Sequence, residues 1–128
     1  MRAAGMSGRE SMAKIIVVED EKSICDVVVQ MLRYAGHTVQ AFEDARPALE
    51  AVDFSQTDLV VTDLEMPTSG EEFIQTLRSR GIQTPVLVMS GHMDEERKRH
   101  LTSLGAQETI DKPFGLPQFL DRVKALIH

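Results

Sequence analysis

Asp63 closes a short run of apolar and β-branched residues, Leu59-Val60-Val61-Thr62, and a turn carrying Pro67 and Gly70 follows it. Such a run reads as a buried strand, and a carboxylate at its C-terminal end lies where open parallel sheets place their ligands. Alone, Asp63 would be a turn or cap residue, but comparable positions elsewhere are also occupied by reactive groups. Glu19 and Asp20 follow the apolar run Ile15 to Val18, Ser90 follows Val86 to Met89, and Lys112 follows a weaker run from Gln107 to Ile110. Taken singly, Glu19-Asp20-Glu21 would cap a helix, Ser90 would be a turn serine and Lys112 a solvated loop lysine. The weight lies in their joint occurrence at consecutive strand ends.

Three carboxylates at close range resist ionising together unless a divalent cation compensates their charge. Oxygen-only ligands suit Mg2+, with Mn2+ as the alternative, because such an ion binds a few carboxylates and completes its shell on water and phosphate. An ion held by Glu19, Asp20 and Asp63 lowers the charge barrier to an anionic phosphoryl donor and leaves Asp63 as the attacking oxygen. On the side away from the metal, the Lys112 ammonium and the Ser90 hydroxyl supply donors to the transferred group. The expected product is an aspartyl phosphate.

These residues require a scaffold that alternates strand and helix, and the hydrophobic pattern provides one. After the strand Ile15 to Val18, the residues Ile24, Val27, Val28, Met31, Leu32 and Ala35 recur at helical spacing until Gly36. Thr38 to Phe42 is a short strand, and Asp44 can cap a helix carrying Ala45, Ala48, Leu49 and Val52. A third helix runs from Gly70 to Arg80 with Gly81 as its stop, and Pro85 opens the strand Val86 to Met89. The segment from Asp94 to Leu104 is a charge-dense helix anchored chiefly by Leu101 and Leu104. The last helix carries the cleanest apolar stripe: Leu116, Phe119, Leu120, Val123, Leu126 and Ile127. Five strand-helix units with apolar strands predict a doubly wound α/β fold, a five-stranded parallel sheet with helices on both faces.

Composition narrows the function. A chain of 128 residues is one domain. Its net charge is -6, and with Arg2, Arg9 and Glu10 set aside 12 basic residues face 19 acidic ones, a net charge of -7. An acidic domain without a basic stripe is a poor direct binder of nucleic acid. No apolar run approaches a membrane span and the start lacks the core of a secretory signal, so a cytoplasmic location is expected. The single cysteine, Cys25, excludes an internal disulfide and falls on the apolar side of its helix. Residues 1–13 lack periodicity and read as a flexible leader or an alternative start, leaving 14–128 as the folded domain.

Four segments carry a family resemblance: IIVVEDE at residues 15–21, LVVTDLEMPTSG at 59–70, VLVMSGH at 86–92 and LGAQETIDKPF at 104–114. In this order and spacing they resemble the CheY-like receiver domains of two-component response regulators, over essentially the whole chain from Lys14. The resemblance implies the strand order 2-1-3-4-5 and makes Asp63 the phosphoacceptor and Glu19 with Asp20 the acidic pair. It makes the backbone carbonyl of Glu65 a metal ligand, Ser90 the switch hydroxyl, Lys112 the phosphate-pairing lysine, and the Lys112-Pro113 bond cis. It also implies a phosphorylation-dependent switch fed by a histidine kinase or phosphotransfer protein, and not an enzyme beyond its own modification. One position departs from the family: Thr109 stands where many receivers carry a tyrosine or phenylalanine, so the signal to the face made by residues 94–127 is expected to run without a buried ring. Glu65 and His92, each two residues beyond a site residue, are candidates for tuning dephosphorylation.

The output is expected to be a protein partner, or a tethered output domain if the chain is part of a longer regulator. A monomer or weak dimer is expected, with the charge-dense helix as the candidate contact. Two rival readings use the same sheet edge. A Mg2+-dependent phosphohydrolase or nuclease-like domain would employ Glu19, Asp63 and Glu65, but it lacks a cap or substrate-binding insertion. A flavodoxin-like cofactor binder needs a Ser/Thr/Gly-rich loop after the first strand, where this chain places Glu19-Asp20-Glu21.

Overall fold

In a computed structural model, which describes residues 13–91 and 93–127, the chain alternates five strands with five helices. They are β1 (Lys14–Val18), α1 (Lys22–Tyr34), β2 (Thr38–Phe42), α2 (Ala45–Ala51), β3 (Leu59–Asp63), α3 (Gly70–Ser79), β4 (Val86–Ser90), α4 (Glu95–Leu104), β5 (Glu108–Asp111) and α5 (Leu116–Leu126). A single 3-10 turn, Phe54–Gln56, precedes β3 and had no periodic signal in the sequence. All strand pairs are parallel, and the sheet order is β2-β1-β3-β4-β5.

The strands read as unbroken apolar runs because both faces of the sheet are covered. Alternate residues of β1, β3 and β4 point to opposite sides. Ile16, Val18, Val60, Val86 and Val88 pack with Phe73, Ile74, Leu77 and Leu101. Ile15, Val17, Leu59, Val61, Leu87 and Met89 pack on the other face with Val28, Leu32, Phe119 and Val123. Helices α2, α3 and α4 thus lie on one face and α1 and α5 on the other. Cys25 packs at the margin of the second layer, and burial raises its thiol pKa, in keeping with a core role.

Several boundaries differ from the sequence expectation by a residue. Asp63 and Ser90 are the last residues of β3 and β4 rather than the first beyond them, and β5 runs from Glu108 to Asp111. Helix α3 stops at Ser79, and α4 starts at Glu95 with Asp94 as its cap, accepting the Arg97 N–H at 2.8 Å. Gly36 and Gly81, at φ of 98° and 78°, follow α1 and α3 in the left-handed region where other residues are strained.

Asp44 holds the cap position of α2, but its carboxylate does not bond the helix end. It instead accepts from the N–H and hydroxyl of Thr68, both at 2.8 Å, and so pins the loop that follows β3. Ala13 belongs to the folded unit: it is buried, its N–H donates to His37 Nδ1 at 3.2 Å and its carbonyl accepts from Thr38. The leader expected over residues 1–13 otherwise lies outside the described residues.

Candidate functional site

The parallel register brings the ends of β1, β3, β4 and β5 to one edge. Val18 pairs with Thr62, Asp63 with Met89 and Ser90 with Asp111, so the residues at or just beyond these positions converge. The Glu19 N–H continues the ladder to the Phe42 carbonyl at 3.0 Å, fixing its backbone. Its side chain is 1% exposed, and Oε2 accepts the Glu21 N–H at 3.1 Å. Asp63 is 4% exposed, and its Oδ1 accepts the Leu64 N–H at 2.8 Å. Asp20 stands in solvent beside them. Oxygens of Glu19, Asp20 and Asp63 lie within 4.8 Å of one another.

Lys112 enters this group from β5. Its N–H donates to the Ser90 carbonyl at 2.7 Å, and the peptide bond to Pro113 is cis, as the family resemblance implied. Its ammonium donates to Glu19 Oε1 at 2.9 Å and lies 3.4 Å from Asp63 Oδ1. Burial by itself lowers the Lys112 pKa, but the hydrogen bond to Glu19 and the charges of Asp63 and Glu19 leave it above its ordinary value. Burial also raises Glu19, outweighing the hydrogen bond from Lys112, and the charge of Asp63 adds to the rise.

Lys112 therefore bridges two of the three carboxylates, and Asp20 stands outside the bridge. An oxygen-only set of this kind, with negative charge in excess and one face open at Asp20, fits a hard divalent cation such as Mg2+. Glu19, Asp20 and Asp63 are the side chains that would hold it.

The remaining expected residues divide. Ser90 is buried at the edge, with 4% of its surface exposed. Thr109 is half-buried in β5, pairs with Val88 two rows below Ser90, and its carbonyl accepts from Arg122 at 2.6 Å. Glu65 is exposed, and its carboxylate is not part of the group formed by Glu19, Asp20 and Asp63. His92 lies outside the described residues. Residues that spacing did not reveal are Leu64, whose N–H orients Asp63, and Thr68, which Asp44 ties down beside the site. A backbone donor has no side-chain signature, and a tie across 24 residues leaves no periodic trace.

The chain is thus a doubly wound α/β domain with an acidic, lysine-bridged group at the carboxyl edge of its sheet, where such sheets carry their sites. Residues 15–124 match the response regulator receiver domain family. The chain belongs to that family, the receiver domains of two-component response regulators. The regulatory protein VanR of Enterococcus faecium is 35% identical over 113 residues, covering 88% of this chain and 48% of the relative. The transcriptional regulatory protein CiaR of Streptococcus pneumoniae is 33% identical over 117 residues, covering 91% and 52%. The chain thus spans about half the length of the curated relatives it matches. The structure of the chemotaxis protein CheY4 of Vibrio cholerae superposes with a TM-score of 0.84 at 29% identity, covering 91% of this chain and 99% of that one. Among the described residues, no helix is long and apolar enough to cross a membrane.

Proposed function

We propose that the domain is a phosphorylation-dependent switch in which Asp63 accepts a phosphoryl group from a histidine kinase or phosphotransfer protein. The observation that carries this reading is the Lys112 ammonium set between Glu19 and Asp63, 2.9 and 3.4 Å away, beside a carboxylate group with negative charge to spare. In the transfer, an Asp63 carboxylate oxygen forms the new P–O bond while the P–N bond of the donor phosphohistidine breaks. The imidazole leaves with the bonding electron pair.

The chain's own residues prepare that step. The Leu64 N–H and Lys112 hold Asp63 in place, and the β3 backbone behind it is buried, so the attacking group is oriented before the donor arrives. Lys112 is positioned to move from the carboxylates to the incoming phosphoryl oxygens, and the Ser90 hydroxyl to follow. When bound, Mg2+ supplies positive charge that lets two anionic reactants approach. The face built from residues 94–127 then binds a downstream protein or an output domain, with cytoplasmic operation and residues 13–128 as the working unit. The domain does no chemistry other than its own modification. Glu65 and His92 tune loss of the phosphoryl group, and unchanged acyl-phosphate decay in both Glu65→Ala and His92→Ala would remove that role.

Intact mass after incubation with acetyl phosphate tests the central reading. A single base-labile phosphoryl adduct that requires both Mg2+ and Asp63 is expected, and its absence from Asp63→Asn is the control. No adduct on the unmodified sequence in any condition would leave a binding module that works without phosphorylation.

A further inference from the structure

Helix α4 is weakly seated by apolar contact. Of its ten residues only Leu101 is buried, with Met93 buried just ahead of it. Arginines tie both of its ends to α3. At the C-terminal end, Arg78 of α3 donates to the Gly105 carbonyl at 2.8 Å and also to the carbonyls of Ile82 and Thr84, at 2.6 and 3.0 Å. The packing there is tight, since a Cβ on Gly105 would lie 2.7 Å from Arg78 Nε.

At the other end, Arg97 of α4 donates Nε and Nη2 to one oxygen of Glu71, at 3.0 and 2.6 Å. The other ionic contacts of α4 are longer: Lys98 lies 3.7 Å from Asp111 and 3.9 Å from Glu95.

Glu71 is the second residue of α3, and the first is Gly70, where the helix abuts the end of β3. The Gly70 N–H donates to the Leu64 carbonyl at 3.0 Å, and a Cβ on Gly70 would lie 2.6 Å from the carbonyl oxygen of Asp63. No soft layer separates the backbone of Asp63 from the start of α3. From there one residue and one ion pair reach α4.

We infer that the Glu71–Arg97 pair couples the state of Asp63 to the position of the N-terminal half of α4, with the Arg78–Gly105 contact as the pivot. The inference rests on the reading of Asp63 as the phosphoacceptor. A displacement of β3 or the following loop moves Gly70, which is packed against it backbone to backbone, and carries Glu71, the next residue of the same helical turn. The pair is partly solvated, with side-chain exposures of 40% for Arg97 and 24% for Glu71, and pairs of that kind are weak enough to be remade by small shifts. The coupling is reciprocal: a partner that prefers the displaced α4 favours the modified Asp63 by the same factor.

Hydrogen exchange of the α4 amides in the full chain, before and after acetyl phosphate with Mg2+, tests the device. In the unmodified protein, Glu71→Gln and Arg97→Gln should each speed exchange over residues 98–104 by about fivefold, the scale of one partly exposed ion pair. Amides of β1 and β3 should keep their rates, which separates a local release from general destabilisation. The exchanged pair Glu71→Arg with Arg97→Glu should return α4 toward the parental rate.

Phosphorylation should alter α4 exchange in the parental protein and much less in Glu71→Gln. Unaltered α4 exchange in both single variants overturns the inference. So does a full α4 response in phosphorylated Glu71→Gln, and that outcome leaves the phosphoacceptor reading standing. No adduct on the parental protein overturns that reading, and the coupling with it.

Discussion

Asp63 stands among like charges at the carboxyl edge of the sheet. Two other carboxylates approach within 4.8 Å, and the one ammonium present is shared with Glu19. Asparagine keeps the oxygen that accepts from Leu64 and removes one negative charge. Without divalent ions, Asp63→Asn is therefore expected to raise stability by roughly 1 kcal/mol, the scale of like charges a few ångströms apart in a partly screened site. Mg2+ should raise the melting temperature of the parental protein and leave Asp63→Asn unchanged, since an ion stabilises only the state that binds it. Thermal melts of both proteins with and without Mg2+ check this.

A second residue fixes a pH dependence far from that site. His37 is buried and accepts the Ala13 N–H on Nδ1, which requires that nitrogen to be unprotonated. Burial lowers its pKa and the charge of Asp58 only partly opposes this. The unfolded chain, with an ordinary value of about 6.5, takes up the proton first as pH falls. The contribution of His37 is thus complete above the unfolded value and is lost as pH falls through the depressed folded one. Urea midpoints between pH 7.5 and 5, on the order of that ordinary value, should fall less steeply for His37→Gln than for the parental protein.

At the scale of elements, helix placement depends on a few close or multiply bonded contacts. Gly70 lets α3 meet β3 where a methyl group would strike the Asp63 carbonyl at 2.6 Å and the Leu64 backbone at 2.9 Å. Backbone cannot give way as a side-chain tip can. Gly70→Ala is expected to cost about 1–3 kcal/mol, the range of overpacking, even though alanine is the better helix former. Arg78 serves three carbonyls from two segments, Ile82 and Thr84 in the loop before β4 and Gly105 after α4. Arg78→Met keeps much of the apolar stem and orphans those acceptors, so a loss of at least about 2 kcal/mol is expected. Equilibrium urea unfolding measures both, and the denaturant slope should be preserved.

For the whole molecule, one sheet separates two apolar layers that have no residue in common. Phe73 lies fully buried in the layer under α2, α3 and α4, and Phe119 fully buried in the layer under α1 and α5. Because every strand of the central three contributes to both layers, neither can melt while the other stays folded. Phe73→Ala and Phe119→Ala should each lower stability by about 3–5 kcal/mol. Each should do so within a single transition, followed alike by fluorescence of an added probe and by circular dichroism. The same arrangement leaves α4, with one buried residue, the most lightly seated of the described helices.

The alternation of strand and helix, the parallel sheet, and the placing of Glu19, Asp20, Asp63, Ser90 and Lys112 at strand ends are all legible in the chain's one-dimensional pattern. Those features are written in local periodicity, in apolar runs and in the residues that stop them, so they are legible without neighbours in space. Which carboxylates meet depends on the three-dimensional fold, which keeps the Glu65 carboxylate outside the group that Asp20 joins from solvent. The fold alone spans the 93 residues between Glu19 and Lys112 with a 2.9 Å hydrogen bond. It alone turns Arg78 and Arg97, two ordinary surface-helix arginines in the sequence, into the ties of α4. Such contacts depend on strand register and on how helices seat across a sheet, and these are set by the packing of the entire core rather than by any spacing along the chain.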